Sequence, residues 1–160
     1  MNAGHRLELD ELERSLSHVV RLLADRSLNT DIARRAGHDL PPASWALMEH
    51  LEDGGSMRVS DIAACHGVDV SSITPRIKAL EAAEMITRNR LPDDARVSMI
   101  SISTTGRRAL HQIHSARREL LAAAAVDING VDLATASRVL AQIIDALSAV
   151  GTQRLNARQL

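Results

Sequence analysis

The sequence predicts a mainly helical protein with one small β-hairpin, and three observations carry that reading. Apolar residues step by three and four along both outer thirds of the chain, two short helical patterns separated by a glycine stand in the middle, and a Pro-Asp-Asp turn flanked by strand-like segments follows them. A 45% apolar content can build a core in 160 residues, but the 1% aromatic content leaves that core to Leu, Ile, Val and Ala, which favours helices.

The first helix is expected over about residues 6–36, where Leu9, Leu12, Leu16, Val19 and Leu23 line one stripe. A short helix is expected from Asp61 to His66, with Ser60 able to cap it and Asp61 favourable in its first turn. Gly67 supplies the following turn. The next helix, about Ser72 to Ala83, places Ile73, Ile77 and Leu80 at i, i+4 and i+7, so that stripe must pack inward. Its outward face then carries Ser72, Pro75, Arg76 and Lys78, with Ser71 and Thr74 beside it and no acid before Glu81.

From Ile86 to Ser103 the chain reads as two strands around Pro92, Asp93 and Asp94. Proline presets φ for a turn, aspartates suit the positions after it, and residues 97–102 alternate apolar and polar with one slip at Met99 and Ile100. Arg96 stands just past the tip. A helix pair followed by a hairpin with a cation at its tip is a winged helix-turn-helix, and hydroxyls and cations on the second helix are what base edges and phosphates require. A fifth helix is expected from about Thr105 to Val126, and in the last helix Leu133, Ala136, Leu140, Ile143, Leu147 and Val150 repeat the 3,4 stepping. The small central unit cannot cover both outer seams, so the surplus apolar surface implies a partner chain, with Leu9, Leu12, Leu16, Leu133, Leu140, Ile143 and Leu147 at the dimer interface.

Net charge is −1, but it is unevenly spread: residues 37–75 carry 1 basic and 6 acidic side chains (−5), whereas residues 76–108 carry 7 and 4 (+3). The positive block coincides with the second helix of the pair and the wing, which suits specific binding of double-stranded DNA better than indiscriminate coating.

The run V-D-V-S-S-I-T-P-R-I-K-A-L-E, the I-T-R with P-x-D-x-R after it, and I-S-T-T-G-R-R together resemble the multiple antibiotic resistance regulator (MarR) family. The upstream L-P-P-A-S-W-A-L-M-E-H-L is similar to that family's second helix. These motifs cover residues 40–108, in the family's order and spacing. The resemblance implies one domain over residues 1–160, with dimerisation helices at about 6–36 and 105–150 and a winged-helix DNA-binding unit at about 40–103. It also implies a homodimeric repressor released by a small molecule or by oxidation. DNA contacts then fall to Ser71, Ser72, Thr74, Pro75, Arg76, Lys78, Arg88, Arg90, Asp94 and Arg96, with Asp94 orienting Arg96 or pairing with Arg88. An effector pocket for a small anionic aromatic molecule is implied at the junction of the dimer helices and the winged helix, lined by His18, Arg21, Trp45, Met48 and His111. Packing is the competing account of Trp45 and Met48. Ala95 and Pro41 depart from the family pattern, at the wing and at the start of the second helix respectively.

Cys65 reads as a small buried apolar residue, and His111 and His114 share a helix face without a clear carboxylate or thiolate companion, so no metal or cofactor is expected. A redox- or metal-responsive regulator is the alternative these residues leave. There is no phosphate loop, nucleophile elbow or H-E-x-x-H, which argues against an enzyme. The competing class is a winged-helix module that docks another protein and reads no DNA; Arg76, Lys78 and Arg96 argue against it. Met1 to Asp10 is too polar for a secretory signal, no apolar run reaches the roughly 20 residues of a membrane span, and the single cysteine fits a reducing compartment, so the expectation is a cytoplasmic protein.

Overall fold

The computed structural model describes residues 3–91 and 94–156, with side chains over 4–89 and 98–149. In chain order the elements are α1 (Ala3–Leu23), α2 (Arg26–Ala36), α3 (Pro42–Gly54), β1 (Met57–Arg58), α4 (Val59–Cys65), α5 (Val70–Ala82), β2 (Ile86–Leu91), β3 (Asp94–Ile102), α6 (Thr104–Ala124) and α7 (Gly130–Asn156). They form two compact units, residues 1–120 and residues 121–160.

The expected single first helix is two. The Asp25 carboxylate accepts from the amides of Ser27 (2.9 Å) and Leu28 (3.0 Å), which ends α1 and starts α2. The Ser27 hydroxyl, then those amides, hold the Asp25 carboxyl below its usual range. The cap competes successfully with the apolar stepping because α1 exposes most of that stepping, so little packing resists a break. Gly37, at φ 72°, closes α2.

The core lies in the first unit, and every buried apolar side chain among the described residues falls between Ile32 and Ala116. Trp45, Leu47, Met48 and Leu51 come from α3, Ile62 from α4, Ile73, Ile77 and Leu80 from α5, Ile100 from β3, and Leu110 and Ile113 from α6. The α5 stripe expected to point inward does so, at 1% exposure or less. The sheet is antiparallel in the order β1-β3-β2, with Met57 opposite Ile100 and Arg88 also opposite Ile100 on the other side. The two-residue β1 is too short for its alternation to be legible in sequence. Strand β3 begins at Asp94, earlier than the expected Val97, and the register slips between Arg90 and Leu91. Pro92 and Asp93, the expected turn, lie outside the described residues.

Two other expectations need correction. Helix α4 begins at Val59 with Arg58 at its N-cap and no side-chain cap; the Ser60 hydroxyl donates instead to Asp61, at 3.2 Å. Cys65 is exposed, because Ile62 and Ala63 take the inward face of this seven-residue helix and leave its last residue outside.

Candidate nucleic-acid interface

Helix α4, the turn through Gly67 (φ 61°) and helix α5 form the helix-turn-helix. Helix α5 starts at Val70, two residues before its expected start, so Pro75 sits in the second turn and the Ser71 carbonyl loses its helical donor. A single substitution such as Pro75→Ala would restore that donor. Ser71, Ser72, Pro75 and Lys78 are exposed, whereas Thr74 and Arg76 are half-buried at the flanks of this face. The Thr74 hydroxyl already donates to the Val70 carbonyl at 2.6 Å, which leaves only its lone pairs for a ligand.

The end of α5 is tied to the wing by an ion pair that the sequence reading missed. Arg88 on β2 donates through Nε and Nη2 to the two carboxylate oxygens of Glu81, at 2.9 and 3.0 Å. Glu81 in turn holds the Arg88 guanidinium above its ordinary pKa. A planar fork on a carboxylate fixes orientation as well as distance, so Arg88 sets the angle between helix and wing. Its donors are thus largely committed to Glu81. The side chains of Arg90, Asp94 and Arg96 lie outside the described residues; the backbone of Arg96 belongs to β3, two residues past its start.

Between α5 and β2 the chain closes a C-terminal cap, with Met85 N–H donating to the Leu80 carbonyl at 2.9 Å and Glu84 at φ 58°. Ser103 locks this corner by donating to the Glu84 carbonyl (2.7 Å) and accepting from the Gly106 amide (2.9 Å). A Cβ at Gly106 would stand 2.0 Å from the Met85 carbonyl oxygen, so only glycine lets α6 start here.

Two polar clusters tie α3 to its neighbours, one to the end of α4 and one to α6. The rings of His50 and His66 meet edge to face at 4.6 Å, with Nδ1 of His50 3.2 Å from Nε2 of His66 and 2.9 Å from the Ala46 carbonyl. Because a carbonyl only accepts, His50 Nδ1 is a donor and His66 Nε2 must accept. Burial, then the neighbouring His50 and Arg76, push His66 below its ordinary pKa. Between α3 and α6, Glu49 Oε1 takes His114 Nε2 at 3.0 Å and Arg117 Nη1 at 2.6 Å. Burial pushes the Glu49 carboxyl up, but these two partners outweigh it and leave the group below its usual value. Neither cluster has a local sequence signature, since His50 and His66 are 16 residues apart and Glu49 and its partners 65 and 68.

The five residues expected at an effector pocket are not brought into one cavity. Trp45 and Met48 are fully buried, with Arg117 stacked 5.2 Å from the Trp45 ring centre, while His18, Arg21 and His111 are exposed. An open groove of about 880 Å³ runs elsewhere, along α2 and residues 37–42, lined by Arg26, Asn29, Thr30, Arg34, His38 and Leu40 among others. Of the seven expected interface residues, Leu9, Leu133, Leu140 and Leu147 are exposed and Leu12, Leu16 and Ile143 are half-buried. Among the described residues no three His, Cys, Asp or Glu side chains gather as metal ligands, and no helix is long and apolar enough to cross a membrane.

Comparison with known proteins agrees with this geometry. Residues 40–98 match the model of the MarR family. An uncharacterised HTH-type transcriptional regulator of Bacillus subtilis, YxaD, is 31% identical over 108 residues, covering 68% of this chain and 73% of that protein. Among solved structures, a MarR family protein from Bacillus stearothermophilus superposes with a TM-score of 0.72 at 18% identity, over 92% of this chain and 99% of the other. The Escherichia coli MarR protein in its apo form gives 0.64 at 19% identity, over 81% and 94%. With the helix-turn-helix, the wing and this relative in agreement, the chain belongs to the MarR family of winged-helix transcriptional regulators, which bind DNA and are not enzymes.

Proposed function

We propose that this regulator acts as a homodimeric repressor that reads an inverted-repeat operator through α5 and is released by a small anionic aromatic molecule. The observation that carries the DNA assignment is the exposed face of α5, where Ser71, Ser72 and Lys78 stand with no acid inside the helix before Glu81, with Arg76 at its flank. On this reading α5 enters the major groove with its N-terminal end leading, Arg76 and Lys78 reach base edges, and Ser71, Ser72, Thr74 and Pro75 line the approach. Arg96, beside Asp94 and Arg90 on the hairpin, enters the flanking minor groove. The apolar faces left open on α1 and α7 support a second copy of the chain, which would place two recognition helices about 34 Å apart, on half-sites about 10 base pairs from centre to centre.

The test is binding to the DNA upstream of the protein's own gene at physiological salt. Arg76→Ala should cost about 1–3 kcal/mol and relax preference at one base pair, whereas Arg96→Ala should weaken all sequences more evenly. If both variants bind as tightly as the parent, α5 and the wing are not the reading surface. For the effector, Trp45 is a single internal reporter, since the chain holds no other Trp and no Tyr. Buried under Arg117, it senses the α3–α6 contact, so phenolic carboxylates should shift its emission over the concentration range in which they release DNA. Release with unchanged emission would separate the effector site from this contact.

A further inference from the structure

We propose that Val70, at the mouth of α5, packs against the C5 methyl group of a thymine and so sets base preference. This inference rests on the reading that α5 enters the major groove. Among the side chains described between residues 24 and 120, Val68 and Val70 are the only large apolar ones left exposed, at 41% and 47%. All the others there are buried or half-buried, so this unit has the means to cover its apolar residues and leaves these two uncovered at one place. That place is the start of the recognition helix, the part that meets base edges first in this docking geometry.

Thr74, one turn on from Val70, and Lys78, a further turn on, continue the same side of the helix, so Val70 is continuous with the polar face assigned to DNA. Asp69, between the two valines, caps nothing: it stands at the N-cap position with no side-chain bond to the helix amides. A carboxylate that bonds no helix amide and two apolar side chains are poorly matched to phosphates. Base edges in the major groove do offer partners for both, the thymine methyl for a valine and the cytosine or adenine amino group for a carboxylate. The chemistry at this end of α5 therefore fits base edges and not backbone.

The experiment selects duplexes from a randomised library with the intact protein, then replaces each thymine in turn by deoxyuridine, which removes only the methyl group. Affinities are read by fluorescence anisotropy at physiological salt. The parent should lose about fourfold for one thymine in each half-site, the worth of one buried methyl, and Val70→Ser should lose its sensitivity at that thymine alone. Val70→Ile should keep the sensitivity, and circular dichroism should show both variants folded, because the site is exposed. Equal binding of the parent to every deoxyuridine duplex, or full methyl sensitivity in Val70→Ser, overturns the proposal while leaving DNA reading by α5 intact. Failure to select any DNA overturns both. A change in oligomeric state on Val70→Ser, with DNA preference unchanged, would assign the valines to a protein contact and also overturn it.

Discussion

The middle of the chain and its outer helices treat apolar residues in opposite ways. Between Ile32 and Ala116 the described large apolar side chains other than Val68 and Val70 close over one another, and Trp45, Leu47, Met48, Leu51, Ile62, Ile73, Ile77, Leu110 and Ile113 show no exposed surface. Helix α1 leaves Leu7, Leu9, Val19, Val20, Leu22 and Leu23 exposed, and the second unit leaves Leu121, Val131, Leu133, Leu140, Ile144 and Leu147 exposed. A long helix can bury only the stripe that has something to face, and here the stripes outnumber the surfaces that cover them. The winged helix is thus complete within one chain, while the outer helices carry the material for joining two.

Three perturbations break or sharpen that contrast. Charging the outer face should have the largest effect: Leu140→Glu with Leu147→Glu would bury unpaired carboxylates in any interface, at about 3–5 kcal/mol each. Sedimentation should then show monomers, with the buried emission of Trp45 preserved; unchanged assembly would mean that this face joins nothing. A cavity in the core should come next. Ile77→Ala is expected to cost about 2–5 kcal/mol in thermal or denaturant unfolding while leaving the assembly of the folded protein intact. A loss below about 1 kcal/mol would show that the middle unit is looser than its burial implies. The smallest effect concerns the corner between helix and wing, where Glu84 holds the left-handed conformation (φ 58°) that glycine adopts without strain. Glu84→Gly should raise stability by about 1 kcal/mol, and a decrease would mean that the Glu84 side chain contributes more than its backbone costs.

Much of the central unit was legible because its cues are local. The spacing of Ile73, Ile77 and Leu80 reports which side of α5 is inside, and by elimination which side carries Ser71, Ser72 and Lys78. The break at Asp25 was missed, because the apolar stepping through Leu23 runs up to the Asp-x-Ser cap and masks it. Cys65 was misplaced because a seven-residue helix has too few turns for alanines beside the cysteine to define a face.

By itself the sequence determined the central helix pair, the inward stripe of α5, the hairpin after it and the family, since each depends on residues within a few turns of one another. Only the tertiary structure decided that Arg88 grips Glu81, that Glu49 gathers His114 and Arg117, that His50 meets His66, and that Trp45 is sealed inside the core and lines no open pocket. Periodicity fixes the direction in which a side chain points. What it meets there depends on how whole elements pack, and that is set by the summed burial of apolar surface across the core, to which no single stretch of sequence gives access.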